Sequence, residues 1–410
     1  MKNYKTLVIV FLIFLFSGAF CKRTQESSVS NSPQSLFNDA SQLLPEEARY
    51  RMCMDAQSID LDQDGDMDLI LAIEFGENIL LINDGSGTFA IDQSFPKSKR
   101  DSEDIAAADF NLDEAIDIII VTEDDQINES YLSNSVGKFD RREDNISDHG
   151  ITNGVAFSDF DNKLGPDLVF ANKGENFLLL NDGKANFKKV FLNDNTDTSQ
   201  DVELGDLDGD GDLDIVIANE GKNQMLINQG QLKFQDESET RLAGGFPLTE
   251  TRDIDLFDID GDGDLDIFTG NVRLFHKYDA QNRIYINDGN GFFTEETGNR
   301  LPTDSLNTFD GDFFDFDRDG DSDLVTANGN LWANAGRTYT FLANDGNGKF
   351  TVLEDESVPR VQGVDGFDVE FADFNNDGLG DLYFCSRGRK DGGNTDYLFI
   401  GRPSSQFPGK

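Results

Sequence analysis

Histidine, cysteine, tryptophan and basic side chains are scarce in this 410-residue chain, which has two His, three Cys and one Trp. His149 and His276 lie far apart in the sequence, so histidine-based zinc sites and a Ser-His-Asp triad are poorly supplied. Lys and Arg number 34 against 79 Asp and Glu, giving a formal charge of -45. Because phosphate binding needs clustered Lys and Arg, this charge argues against nucleic acid as a partner.

Long apolar runs are also missing, apart from the one at the N-terminus. Lys2 and Lys5 precede the run from Leu7 to Phe16, which is too short to span a bilayer but is typical of a signal peptide. The sequence therefore predicts an exported protein.

Two ways of processing this signal remain open. Ser17-Gly18-Ala19 fits cleavage after Ala19, whereas Cys21 resembles the lipidated cysteine of bacterial lipoproteins, although Phe20 is large for the preceding position. We expect a signal peptide over 1–21, a polar tether over 22–34, a folded body over 35–402 and a tail over 403–410. The expected location is an outer-membrane or cell-surface lipoprotein, or a periplasmic or secreted protein. Membrane contact would come only through the lipid anchor, and we expect a monomer.

The remaining cysteines, Cys53 and Cys385, belong to the folded body. An oxidising compartment permits a disulfide between them. Two separately buried cysteines are the simpler interpretation, and we favour it at this point.

One acidic motif recurs along the chain. Asp-Leu-Asp-Gly-Asp-Gly-Asp-Leu-Asp runs from Asp206 to Asp214, and similar segments begin at six other aspartates, so the seven start at positions 60, 109, 159, 206, 258, 315 and 373. A spacing of 47 to 58 residues matches a four-stranded propeller blade. With 37% hydrophobic residues in short, regularly spaced runs, the sequence predicts an all-β, seven-bladed propeller and not a disordered acidic chain.

Each unit contains an apolar run, the acidic loop, a β-branched run, a third apolar run and an Asn-Asp-Gly-x-Gly-x-Phe turn, as at Asn287 to Phe293. Asn, Asp and Gly tolerate the positive φ angles that hairpin turns need. The seventh unit stops after its third strand, at Tyr397 to Arg402. Phe37 to Pro45 resembles a fourth strand, so we expect the N-terminal segment to complete the last blade and to leave no exposed sheet edge.

The acidic loops predict calcium sites. In Asp-x-Asp-x-Asp-Gly-x-x-Asp, side chains at positions 1, 3, 5 and 9 and a carbonyl at position 7 form an oxygen cage of the kind that Ca²⁺ prefers over Mg²⁺. The glycine at position 6 allows the bend. The candidate ligands in the five best loops are Asp60, Asp62, Asp64, Asp68, Asp206, Asp208, Asp210, Asp214, Asp258, Asp260, Asp262, Asp266, Asp315, Asp317, Asp319, Asp323, Asp373, Asn375, Asp377 and Asp381.

Two loops depart from the pattern. The loop with Asp109, Asn111, Asp113 and Asp117 has Glu114 in place of the glycine and would be a sixth site. In the loop at Asp159, position 5 is Lys163, whose ammonium group can replace the metal charge, so we expect no ion there. An EF-hand is excluded, because position 12 is never Glu in the five best loops and lies inside a strand.

These units resemble the VCBS and FG-GAP repeats of bacterial surface proteins, which are related to the propeller of integrin α-subunits. The resemblance covers residues 35 to 402. The calcium loop and the Asn-Asp-Gly turn carry it, and the absence of the Phe-Gly and Gly-Ala-Pro signatures favours the VCBS-like branch. The resemblance implies calcium loops between strands one and two on one face and ligand contacts on the opposite face.

The loops between strands two and three differ among the units and are long and basic in units five to seven. A patch on these loops could bind a protein or an acidic glycan. Its candidate residues are Arg273, His276, Lys277, Arg283, Trp332, Arg337, Arg387, Arg389 and Lys390.

The favoured function is therefore a calcium-binding module for binding or adhesion. The alternatives are a calcium-dependent polysaccharide lyase or hydrolase and a purely structural envelope component. Aspartate is too abundant for the sequence to single out a catalytic pair.

Overall fold

The protein is an all-β, seven-bladed propeller. The structure is a computed structural model that describes residues 35–123, 126–135, 138–142, 146, 150–192, 197–275, 278–329, 337–388 and 396–403. Within these residues, no helix has the length and apolarity needed to cross a membrane. The predicted signal segment, Cys21 and the expected polar tether lie outside the described residues.

Blades 1 to 4 are four-stranded antiparallel units in sequence order. Blade 1 contains β2 (Cys53–Ile59), β3 (Asp68–Ile73), β5 (Ile79–Asn83) and β6 (Phe89–Ile91), and β4 (Gly76–Glu77) pairs with β7 (Lys99–Arg100) beside it. Blade 2 contains β8 (Ser102–Ala108), β9 (Asp117–Thr122), β10 (Glu129–Ser135) and β11 (Lys138–Arg142). Blade 3 contains β12 (Thr152–Ser158), β13 (Asp167–Asn172), β14 (Phe177–Asn181) and β15 (Phe187–Phe191). Blade 4 contains β16 (Ser199–Gly205), β17 (Asp214–Lys222), β18 (Gln224–Asn228) and β19 (Phe234–Asp236).

Blades 5 to 7 repeat this arrangement. Blade 5 contains β20 (Leu248–Phe257), β21 (Asp266–Asn271), β22 (Arg283–Asn287) and β23 (Phe293–Glu295). Blade 6 contains β24 (Thr308–Phe314), β25 (Asp323–Asn328), β26 (Tyr339–Asn344) and β27 (Phe350–Val352). Blade 7 contains β28 (Val364–Ala372), β29 (Asp381–Gly388), β30 (Tyr397–Gly401) and, as its outer strand, β1 (Phe37–Asp39), with Phe37 opposite Gly401. Single helical turns occur at Ser41–Leu43, Ser238–Arg241 (α1) and Thr297–Arg300 (α2).

Hydrophobic packing occurs between blades. The second strand of each blade is buried on both faces, as in the run Asp68–Ile73, because a neighbouring blade covers each side. Seven apolar clusters lie one in each space between adjacent blades, and the cluster between blades 7 and 1 joins Leu69 to Tyr383 and Leu398. Apolar runs of this kind are typical of strands that are covered on both sides.

The innermost strands share a β-bulge at the same position in all seven blades. The residue after the bulge is Asp in six blades and Gly154 in blade 3. The six aspartates, which we call the bulge ring, are Asp55, Asp104, Asp201, Asp253, Asp310 and Asp368.

Four members of the bulge ring connect one blade to the next. The inner edge of each blade presents unpaired backbone N–H groups, which need an acceptor. Asp104 Oδ2 accepts the N–H of Val155 at 2.7 Å, and Asp368 Oδ2 accepts the N–H of Ala56 at 3.1 Å. Asp201 and Asp310 bind the following blades in the same way. The ring therefore supplies acceptors to inner-edge positions that lack a strand partner. In blade 5 the start of the inner edge does have one, since β20 pairs there with β17 of blade 4.

A disulfide joins Cys53 of β2 to Cys385 of β29, with the two Cα atoms 5.3 Å apart. Our interpretation of two separate buried cysteines was therefore wrong. The cysteines are 332 residues apart in sequence, and the propeller brings them together because blades 1 and 7 are neighbours. The crosslink thus fixes the first blade to the last.

Replacing both cysteines with alanine should lower the free energy of unfolding by about 2–5 kcal/mol, because the crosslink restricts a very long loop in the unfolded chain. Urea denaturation of the wild type and of Cys53→Ala/Cys385→Ala measures this difference. A reductant should destabilise the wild type and leave the variant unchanged. Equal sensitivity of the two proteins to the reductant would contradict the crosslink.

Candidate functional site

The acidic loops connect the first and second strands of every blade, and six of the seven fold in one pattern. The carboxylate at position 1 accepts the backbone N–H groups of positions 5 and 6. In blade 4, Asp206 Oδ1 accepts from Asp210 at 3.1 Å and Asp206 Oδ2 accepts from Gly211 at 3.0 Å. Corresponding bonds form in blades 1, 2, 5, 6 and 7. The first aspartate therefore curls the loop.

Backbone angles explain the glycine at position 6. Its φ is positive in the five best loops, for example 98° at Gly65 and 91° at Gly211. Glu114 adopts a φ of 70° at the same position, which is unfavourable for a residue with a side chain. Position 4 also has positive φ in all seven loops, including Gln63 at 60° and Arg318 at 65°. This second requirement was not predictable from the sequence, because position 4 is often not glycine.

The aspartate at position 9 is buried and ties the loop to the third strand. Asp214 Oδ1 accepts the N–H of Asn228 at 2.8 Å, and its Oδ2 accepts the N–H of Leu207 at 3.0 Å. The bond to the end of the third strand occurs in all seven blades. Burial raises the pKa of Asp214 to about 7, although both backbone donors oppose that shift.

Potential ligand atoms converge in several loops. Carboxylate oxygens of positions 1, 3 and 5 lie within 4.8 Å of one another in the loops starting at Asp206 and Asp258. In the loops starting at Asp60 and Asp159, the converging positions are 1, 3 and 9. Lys163 Nζ also lies 2.6 Å from Asp161 Oδ2, the contact that a lysine replacing a metal ion would make.

Unsatisfied oxygens provide a test of whether these loops suit a cation. Asp208 Oδ1 and Asp260 Oδ1, both at position 3, are buried without a hydrogen-bond partner. In the loop of blade 2, Asn111 Oδ1 and Asp117 Oδ2 are also buried without a hydrogen-bond partner. A buried acceptor without a partner is costly, and a bound cation removes that cost. The residues present therefore fit a hard cation with oxygen ligands.

Two arginines that our sequence analysis missed support these loops. Arg241 of α1 donates to Asp208 Oδ2 at 2.7 Å and to the carbonyl of Asn290 in the next blade at 2.7 Å. In the same way, Arg300 of α2 donates to Asp260 Oδ2 at 2.9 Å and to the carbonyl of Asn347. Each arginine binds one oxygen of a position 3 carboxylate and leaves the other oxygen without a hydrogen-bond partner. The signal was present, since both arginines lie seven residues after the hairpin phenylalanine.

The Asn-Asp-Gly turns work differently from our expectation. The two glycines have positive φ, for example 76° at both Gly289 and Gly291, but Asn287 and Asp288 do not. Asn287 Nδ2 instead donates to the carbonyls of Leu265 at 3.0 Å and of Leu207, in the preceding blade, at 2.9 Å. The asparagine is therefore needed for its side-chain amide.

The candidate basic patch lies on the opposite face, between strands two and three of blades 5 to 7. Arg273 is exposed, and Phe275 beside it is 61% exposed. Arg387 lies 3.0 Å from Glu74, and Arg283 lies 3.4 Å from Asp279.

Acidic partners thus offset part of the charge of the patch, and Arg337 likewise pairs with Glu354. A cavity of about 180 Å³ opens beside Arg337 and is also lined by Arg360. His276, Lys277, Trp332, Arg389 and Lys390 lie outside the described residues.

Comparisons with known proteins agree with this geometry. The seven antiparallel units and their acidic loops define a repeat propeller. A model of the FG-GAP-like repeat matches residues 60–120, 164–217, 206–269 and 272–326, more than half of the chain. The chain belongs to this FG-GAP-like repeat family. No curated protein sequence matches it.

Solved structures share the fold at low identity. A structure described for specific recognition of non-reducing terminal N-acetylglucosamine by an Agrocybe aegerita lectin gives a TM-score of 0.50 at 17% identity, over 76% of this chain and 86% of that one. A chain from the crystal structure of BBS1N in complex with ARL6DN, soaked with lead, gives a TM-score of 0.53 at 12% identity. The match covers 92% of this chain and 100% of that one. These identities support a common fold only.

Metal-free protein should become less stable as the pH rises from about 5 to about 7. The pKa of Asp214 rises from 3.8 to about 7 on folding, and Asp266 and Asp381 behave alike. Between those values the folded chain keeps protons that the unfolded chain has lost, so rising pH favours unfolding. Thermal melting of protein freed of metal by dialysis measures this, and a melting temperature that increases with pH would refute it.

Proposed function

We propose that this protein is an exported, calcium-binding propeller that acts as a binding or adhesion module at the cell surface or in the periplasm. The fold and family support a binding module. The buried, unpartnered oxygens of Asp208 and Asp260 are the observation that carries the calcium assignment. The disulfide supports export, because such crosslinks persist in oxidising compartments.

Positions 1, 3 and 5 would hold the ion in the loops starting at Asp206 and Asp258, with position 9 supporting them from the buried side, and positions 1, 3 and 9 would hold it in the loop starting at Asp60. A bound calcium ion supplies two positive charges to a cluster of carboxylates that otherwise repel one another. In blade 4 these residues are Asp206, Asp208 and Asp210. Asp214 keeps the loop attached to the third strand whether or not an ion is bound.

The ligand would bind the face opposite the calcium loops, on blades 5 to 7. Here an exposed phenylalanine, Phe275, lies beside the exposed Arg273. Aromatic rings and arginine together suit sugars that carry carboxylates, since the ring packs on apolar sugar faces and the guanidinium binds the acid. The Agrocybe aegerita lectin of similar fold recognises non-reducing terminal N-acetylglucosamine, which makes glycans the first ligand class to test.

Calcium should raise the melting temperature of the wild type, with each occupied loop contributing about 1–3 kcal/mol at millimolar calcium. Asp260→Asn should reduce this calcium-dependent increment, because it removes a ligand charge. Asp161→Asn is the matched control, since its loop already contains Lys163. Calorimetry with calcium and with chelator compares the increments and not the absolute temperatures, because Asp260→Asn also weakens the Arg300 ion pair. Identical melting in calcium and in chelator would reject calcium binding.

A glycan and matrix-protein array should identify a ligand that the wild type binds and that Arg273→Ala/Arg387→Ala/Arg389→Ala binds at least about tenfold more weakly, equivalent to the loss of roughly 1.4 kcal/mol. The matched control, Lys184→Ala/Lys233→Ala/Lys349→Ala, removes three charges from exposed turns on the calcium-loop face. It should bind like the wild type. Equal binding by all three proteins would reject the basic patch.

A further inference from the structure

An axial cavity of about 600 Å³ lies between the innermost strands of the propeller. Eleven carboxylates from the part of the chain that the structure describes line it. The bulge ring forms one tier, and Glu203, Asp255, Asp312 and Glu370 form a second tier two residues further along their strands. Residues two apart share one side of a strand, so both tiers face the axis. This acidic lining is separate from the calcium loops.

The cavity has little basic charge, and the basic group that it has already forms ion pairs. Arg252 is the one Lys or Arg among the described lining residues. Its Nη2 lies 3.0 Å from Glu250 and 3.3 Å from Glu220, at the end of the cavity near the loops between strands two and three. The guanidinium therefore cannot balance the second tier at the same time.

Asp253 differs from most of the other members of the bulge ring. Four of them give an oxygen to a backbone N–H of the next blade, but Asp253 Oδ2 is buried without a hydrogen-bond partner, and the residue is only 9% exposed. Asp255 Oδ2, two residues along, is also buried and without a partner. Gln57 Oε1 of blade 1 is a third lining oxygen without a partner, so two of these three oxygens lie on the blade 5 side of the cavity.

Neighbouring carboxylates add charge repulsion to the burial of these two side chains. Burial raises the pKa of Asp253 and of Asp255 well above the usual range, and repulsion by Asp310 and Asp312 adds to it. Burial also raises the pKa of Asp312 to about 7. Protons shared between the carboxylates, or a bound cation, would reduce the charge repulsion within such a cluster.

We propose that the axial cavity binds a divalent metal cation between blades 5 and 6, beside Asp253, Asp255, Asp310 and Asp312. Carboxylate oxygens are the ligands that hard divalent cations prefer. The cavity has room for about twenty waters at roughly 30 Å³ each, so the ion keeps part of its hydration shell. This site goes beyond the proposed function and does not require the calcium loops to be occupied.

Crystals of the full chain grown with Mn²⁺ test the site directly, because anomalous scattering locates each manganese ion. We expect a peak in the axial cavity of the wild type and its loss in Asp253→Asn/Asp255→Asn. The control Glu46→Gln/Glu47→Gln removes the same charge from exposed positions and should retain the peak. In solution, the axial variant should bind about one manganese ion fewer per chain than the control.

Asp312→Asn, which removes a different member of the cluster, provides a second variant if the first does not fold. An axial cavity without manganese in the wild type would overturn the proposal and leave shared protons as the explanation. An axial peak that persists in both variants would overturn it as well. Spermidine that displaces manganese from the cavity would identify an organic cation instead. Manganese in the outer loops is scored separately, so the calcium assignment and the axial site can fail independently.

Discussion

The buried aspartate at the start of each second strand is the contact on which the repeat depends. One of its oxygens holds the end of the third strand in every blade. In five blades the other oxygen holds the second residue of the acidic loop. A single carboxylate thus fixes the relative position of three segments, and the loop inherits its shape from that connection whether or not an ion is present.

Blade 2 shows what happens when this contact is incomplete. Asp117 still binds the N–H of Ser133, but its Oδ2 has no hydrogen-bond partner. Asn111 Oδ1 is unpartnered in the same loop, and Glu114 occupies the position that normally needs glycine. The loop therefore has less internal support than its counterparts and more oxygen that is free to accept a cation.

The repeat period and the acidic motif were sufficient to predict the all-β propeller, because both are local and recur in the sequence. The sequence also led us to expect the N-terminal segment in the last blade, but other features that depend on contacts between distant segments were not predictable in this way. The pairing of Cys53 with Cys385 requires two blades at opposite ends of the chain to be neighbours. The support of Asp208 by Arg241 depends on how the helical turn α1 folds back. Asp253 and Asp255 were visible in the sequence, but their shared position on the axis follows only from the ring of innermost strands.

The pairing of β1 with β30 has a consequence for the order in which the protein can assemble. Ribosomes make β1 among the first residues of the body and β30 nearly at the end. The outer strand of blade 7 therefore stays unpaired while six complete blades are synthesised. Nascent or truncated chains expose that strand to other molecules, so this topology favours folding after the whole body has been synthesised over folding during synthesis.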